Sequence, residues 1–155
     1  MKYEFTGKTK IVKGRTLKQI RALITILGVV NSGECGGWIE SEQDLAQVSG
    51  DAWVYGDAQV YGNARVYGNA QVSGNARVSG NALVSDNAQI FGDAQVYGDA
   101  QVYGNAQVYG NAWVYGNTRV FGDAQVSGDA WVSDNAQIFG DAHVSGDAWV
   151  YGNIS

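Results

Sequence analysis

The sequence predicts an all-β solenoid, a parallel β-helix of triangular cross-section standing about six coils tall. Three observations predict it. From Ala46 every sixth residue is Ala, with Thr118 the one exception through Ala148. Two residues after each comes Val, or Ile at Ile90 and Ile138, and a Gly-Asn or Gly-Asp pair, replaced by Asp-Asn at 86–87 and 134–135, then ends the strand. The resulting hexads, A-x-V-x-G-[ND], run from 46 to 153 without insertion or deletion.

Each part of the hexad has a physical reading. In A-x-V-x the two apolar residues share one side of a strand and the two variable residues share the other. Gly accepts positive φ freely and Asn or Asp tolerates it, so each pair can form a corner. A strand this short cannot bury its own face and must stack on copies of itself. Three six-residue sides close an eighteen-residue coil, and at about 4.8 Å per coil six coils rise roughly 29 Å. The core is thin, three Ala and three Val or Ile per coil. Neither the five-residue period of quadrilateral solenoids nor the nine-residue period of calcium-loaded coils is present.

Val-Tyr-Gly-Asp-Ala-Gln and its copies resemble the hexapeptide-repeat superfamily. That resemblance implies a left-handed parallel β-helix, usually in trimers, among acyltransferases and γ-class carbonic anhydrases. The stretch Gly36-Gly37-Trp38-Ile39-Glu40-Ser41-Glu42 followed by such repeats also resembles uncharacterised bacterial and prophage proteins that carry transferase names.

Residues 1–45 read as a small α+β N-terminal cap, and residues 46–155 as the β-helix. Tyr3-Glu4-Phe5 and Lys10-Ile11-Val12 suggest a hairpin through Thr6-Gly7. Thr16 is positioned to cap a short helix with Leu17, Ile20, Leu23, Ile24 and Leu27 on one face, stopped at Gly28. That face would cover the first coil. Nothing in the sequence covers the far end at Ile154-Ser155. Unpaired strand edges are a liability, so that end is expected to be buried in a homo-oligomer, a trimer or a tail-to-tail dimer.

Residues eighteen apart stack in columns. The first side stacks Gln47, Arg65, Leu83, Gln101, Arg119 and Gln137, beside a column that begins at Ser49. The second stacks Trp53, Gln71, Gln89, Gln107, Gln125 and His143, and its glutamines are expected to hydrogen-bond along the column. The third stacks Gln59, Arg77, Gln95, Trp113, Trp131 and Trp149, with Tyr97, Tyr115 and Tyr151 in the adjoining column. This aromatic surface is the candidate binding site, since Trp and Tyr dominate interface hot spots. His143 is the one candidate general base, by analogy with hexapeptide acyltransferases. One His cannot supply a three-His zinc site, so neither metal nor cofactor is expected. Asp123 over Asp141 and Asp129 over Asp147 are expected to be solvated corner residues.

Composition and charge narrow the rest. With no Pro, 22 Gly and 45% hydrophobic residues, the 155-residue chain is neither collagen nor disordered. The single Cys35 gives no internal disulfide framework and, with no secretory signal in view, fits an expected reducing cytoplasm. The apolar run Ala22–Val30 is too short to cross a bilayer. Seven Lys/Arg lie between Met1 and Arg21, whereas Ala46 onward holds ten Asp against three Arg. Without a recognised reader motif in the basic segment, nucleic acid is not an expected partner. The expected function is a non-enzymatic, rigid oligomeric scaffold or binding module acting through the aromatic face. An acyltransferase and a sequestering protein for a small nucleotide or glycan are the alternatives.

Overall fold

In a computed structural model, which describes residues 1–47 and 50–152, the repeats form a parallel β-solenoid of about six turns. The expected positions of Val48 and Ser49, and the far end at Ile154-Ser155, lie outside the described residues. Three parallel sheets make the three sides. One contains Arg65, Leu83, Gln101, Arg119 and Gln137, and the second runs from Trp53 through Gln125 to His143. The third runs from Gln59 through Trp113 and Trp131 to Trp149. Each two-residue strand pairs with the strand eighteen residues on, as Trp113 does with Trp131 and Gln125 with His143.

The cause is local and repeated. Ala and Val or Ile of each hexad point inward, and from Ala52 to Ile138 every such residue is fully buried, including Thr118 in the one substituted slot. Thr118 is tolerated because its hydroxyl donates to the Tyr115 carbonyl at 2.6 Å. Between coils the backbone pairs uniformly. The N–H groups of Gln95, Tyr97 and Asp99 donate to the carbonyls of Ala112, Val114 and Gly116, each at 2.9 Å.

The corners demand glycine. Gly116 has φ +70°, and a Cβ there would sit 2.8 Å from the Asp134 nitrogen in the next coil. Asp86 and Asp134 are the exceptions that adopt φ +57° and +61°. Both belong to the ten-residue stretch Ser85–Ala94 that recurs identically at Ser133–Ala142. Asp86 compensates by accepting a hydrogen bond from the Gly104 N–H at 3.1 Å. The amide ladder expected of the second-side glutamines is instead built by corner asparagines. Asn63 donates to Asn81 at 3.1 Å and Asn81 to Asp99 at 3.0 Å, while the described hydrogen bonds include none between glutamines. Side chains at the corners are short and lie close above one another, which suits amide pairing better than long Gln on an open face.

The N-terminal segment departs from expectation. No α-helix forms over Thr16–Leu27; the chain makes strand β1 (Tyr3–Val12) and strand β2 (Arg15–Ala22), followed by β3 (Cys35–Ile39). Gly7 is a bulge at φ +97° inside β1, and the hairpin turn is Lys13-Gly14, at φ +50° and +76°. The helix-like spacing of Leu17 and Ile20 has a different origin. Leu17, itself fully buried, shares one side of β2 with Gln19, and Ile20 and Ala22 lie on the other, against the main core. Leu23, Ile24 and Leu27, the rest of the supposed apolar face, are exposed. A 3-10 turn over Glu42–Asp44 is the only helical element among the described residues.

β3 pairs in parallel with the strand at Gln59–Val60, so β1, β2 and β3 extend the third side into a nine-stranded sheet. Gly36 and Gly37 permit the close approach, because a Cβ at either would lie 2.6–2.8 Å from Val54, Ile20, Trp53 or Ala58 atoms. This segment also buries Trp53, read from its hexad slot as an outward residue. Tyr3 packs edge-on against its indole at 6.3 Å. The Tyr3 hydroxyl donates to the Leu45 carbonyl at 2.8 Å, and the Lys2 ammonium donates to the Ala52 carbonyl at 2.8 Å.

Candidate functional site

The third side brings together all six aromatic residues singled out in the sequence. Trp113 and Trp131 stack with ring centroids 5.0 Å apart and planes at 0°; Trp131 and Trp149 stack at 5.1 Å and 1°. Parallel rings at that separation are offset, so each overlaps the next like a shingle. Tyr97 and Tyr115 stack at 5.0 Å in the adjoining column, and Tyr97 meets Trp113 edge-on at 6.3 Å. Burial, with Tyr115 beside it, pushes the Tyr97 hydroxyl above its ordinary range. Ser133 interrupts the tyrosine column between Tyr115 and Tyr151 and is itself buried.

Exposure rises along the ladder. Trp113 and Trp131 are half-buried, while Trp149 is 61% and Tyr151 54% exposed. Stacking alone does not distinguish this side, since Tyr103, Phe121 and Phe139 stack on the first and Phe91 with Tyr109 on the second. What distinguishes it is size and continuity: three indoles in successive coils beside two stacked phenols.

The same side is aromatic at its other end too, which the sequence did not reveal. Trp38 is in register with Gln59 and therefore continues the outer row. Cationic side chains of the hairpin reach over this end. The Lys10 ammonium lies 4.4 Å from the Trp38 ring centroid, and the Arg15 guanidinium lies 6.0 Å from that of Tyr61. Arg15 is held there by Glu40 at 2.9 Å, and Glu40 also accepts from the Gly62 N–H at 2.9 Å. Gln59 and Tyr61 are buried as a result. Burial pulls the Lys10 ammonium below its ordinary range, against Asp57, which raises it; Arg77 adds to the lowering. No local sequence signal places Lys10 or Arg15 over these rings, because the contact depends on how the N-terminal strands join the sheet.

Charge is sorted along the side. Its N-terminal end carries exposed Lys8 and Lys13 together with Lys10, Arg15 and Arg77. From Asp93 onward it is bordered by exposed Asp93, Asp99, Asp129, Asp134 and Asp147, and its strands carry no Lys or Arg.

His143 stands apart from the ladder, on the second side. It is exposed, lies opposite Gln125, and makes no hydrogen bond among those described. A groove of about 310 Å³ lined by Gln43, Ala46, Arg65, Val66, Tyr67 and Leu83 lies at the other end of the solenoid. No group of three or more potential metal-ligating side chains occurs among the described residues, and their helices include none long and apolar enough to cross a membrane.

A family model for the YdcK β-solenoid repeat matches the chain at residues 46–60, 58–74, 70–86, 76–92, 88–104, 100–116, 106–122 and 136–152. Together these cover more than half of the 155 residues. No curated protein matches the chain.

Proposed function

Since the chain belongs to the YdcK β-solenoid repeat family, we propose that it is a rigid binding module that takes its partner on the aromatic third side. The observation that carries this reading is the ladder Trp113, Trp131 and Trp149, ending in an indole 61% exposed. Large aromatic side chains held rigid by stacking supply contact area with little conformational entropy left to lose. A solenoid supports this use because uniform backbone ladders fix the spacing of the rings. In this reading residues 1–45 close the first coil, and residues 46–155 present the surface. The exposed, unpaired Cys35 suits a reducing compartment. Catalysis has no comparable support: His143 faces solvent with no orienting partner among the described hydrogen bonds.

Hydroxyl-radical footprinting of the full chain tests the proposal. Oxidation of Trp113, Trp131 and Trp149 is compared in dilute purified protein, in concentrated purified protein, and in an extract of cells expressing it. Protection of these rings in either of the last two, with exposed Leu27 and Ile11 unchanged as internal references, supports the reading. Equal oxidation in all three conditions overturns it.

A further inference from the structure

The geometry points to a second copy of this chain, docked antiparallel across the third side, as the occupant of the aromatic ladder. This rests on the binding reading above and names its partner.

The first observation is the sorting of charge. One end of the side is net basic, with Lys8, Lys10, Lys13, Arg15 and Arg77 against Glu40 and Asp57; the rest is acidic, through Asp93, Asp99, Asp129, Asp134 and Asp147. Two copies facing each other in parallel, as around a trimer axis along the shaft, would set basic ends against basic ends. Turned end for end about a two-fold axis, each basic end meets an acidic one. Of the two arrangements, only the antiparallel one sets ends of opposite net charge together.

The second observation is what the molecule already does with aromatic residues on this side. At the N-terminal end Lys10 covers Trp38, and Arg15 covers Tyr61. The C-terminal indoles, flanked by carboxylates, have no such cover among the described residues. A cationic strand surface is the matching chemistry, and the N-terminal end of another copy offers one. Counting coils, a two-fold axis near Trp113 sets Arg77 opposite the partner's Trp149, and Gln95 opposite the partner's Trp131. Arg15 and Lys10, lying over Tyr61 and Trp38, come next beyond the partner's last coil, with Lys8 and Lys13 further out. The hairpin strands, which continue the sheet past β3, fall beyond the end of the partner's ladder and so do not block the approach.

The available area fits a reversible contact. In this register five strands of each copy overlap, from Arg77 to Trp149; about 4.8 Å apart and four residues wide, they give a strip of roughly 24 by 13 Å. That is about 300 Å² per copy in projection, well below the ~800 Å² of a standard interface, so a weak contact dissociating at roughly tens of micromolar is expected.

Multi-angle light scattering and sedimentation velocity on the full chain, from about 1 to 200 µM, read the mass. Two variants carry the test. One makes the basic end acidic, Lys8→Glu with Lys13→Asp and Arg77→Glu. The other makes the acidic end basic, Asp129→Lys with Asp147→Lys. Wild type is expected to reach twice the monomer mass and to fall back toward monomer as salt is raised to 1 M. Each variant alone, with an unchanged far-ultraviolet spectrum, is expected to dimerise at least roughly tenfold more weakly. An equimolar mixture of the two is expected to recover the dimer, because both ends of the mixed pair are then complementary. A trimeric mass, a dimer indifferent to both variants, or a mixture that stays monomeric overturns the antiparallel pairing. A wild type that stays monomeric overturns it as well. If the footprint then shows protection only in extract, the aromatic side binds a different partner and the broader reading survives.

Discussion

The solenoid and the N-terminal segment share one nine-stranded sheet, yet they hold their residues in place by different means. In the solenoid each residue repeats the environment of the residue eighteen before it, so one hexad's chemistry explains every coil. In residues 1–45 nothing repeats, and each contact is made once. Trp53 and Trp149 make the difference concrete, because both fill the same A-x-V slot. Trp53 is fully buried beneath Tyr3 and β3, whereas Trp149 is 61% exposed. The slot fixes the direction of a side chain; only the rest of the chain decides whether that direction ends in protein or in water.

The largest expected effect breaks this comparison at its buried member. Trp53→Ala empties the space between Tyr3, Gly36 and the first coil and should cost about 3–5 kcal/mol, measured by urea unfolding of the full chain. In a one-dimensional stack the loss should fall on the first coil and the N-terminal segment. Hydrogen exchange of Val54 and Val60 should therefore accelerate while that of Val108 and Val114 does not. Uniform acceleration would mean that the two regions unfold as one unit.

Glycines sharpen the comparison next. Gly116 and Gly14 have nearly the same backbone conformation, φ +70° and +76°. A Cβ on Gly116 meets the Asp134 backbone at 2.8 Å, while one on Gly14 meets nothing within 4 Å. Gly116→Ala should therefore cost about 2–3 kcal/mol and Gly14→Ala about 1 kcal/mol, read as the difference between their urea midpoints. Equal costs would show that backbone strain alone, and not the stacking of coils, makes the corners glycine.

Titration separates the regions as well. Burial, partly offset by the backbone N–H groups of Ser41 and Glu40, holds the Asp44 carboxyl up at about 7. Its folded form thus keeps a proton that the unfolded chain releases near pH 4. Stability should fall, on the order of 1–2 kcal/mol, as pH rises from about 4 to 7, and level off above. Burial brings the Lys2 ammonium down to about 8. Between pH 8 and 10.5 the unfolded chain binds the extra proton, so stability should rise with pH there. Asp44→Asn, which can still accept those two backbone hydrogen bonds, should flatten the acidic limb of urea midpoint against pH and leave the alkaline limb.

How much was legible in the sequence follows the same division. Ala46 to Ala148 announce their own period, and the columns read from it are the registers observed, down to Trp113 on Trp131. The hairpin was legible only in part: the Gly7 bulge resembles a turn, while the real turn, Lys13-Gly14, carries a weak signal. Leu17 and Ile20 mislead because an i, i+3 spacing fits a helix face as well as it fits the two faces of a strand. Of the binding surface, the ladder was legible and its covered end was not. Nothing local to Trp38 says that Lys10 will lie over it; that contact depends on the hairpin pairing onto β3 at the sheet's edge.

The smallest effect on folding is expected at the exposed member of the pair, where the comparison is most informative. Gln fills the Trp149 slot in other coils of the same side, at Gln59 and Gln95, so Trp149→Gln introduces a side chain the solenoid already accommodates. Its ring stacks on Trp131 at 5.1 Å but buries little else. The urea midpoint should shift by less than about 0.5 kcal/mol. Self-association should nevertheless weaken, because Arg77 of the partner subunit would lose the indole it faces. A variant that leaves folding alone and weakens assembly would show that Trp149 serves contact and Trp53 serves the fold. A variant that loses stability as Trp53→Ala does would place Trp149 in the core of the last coil instead.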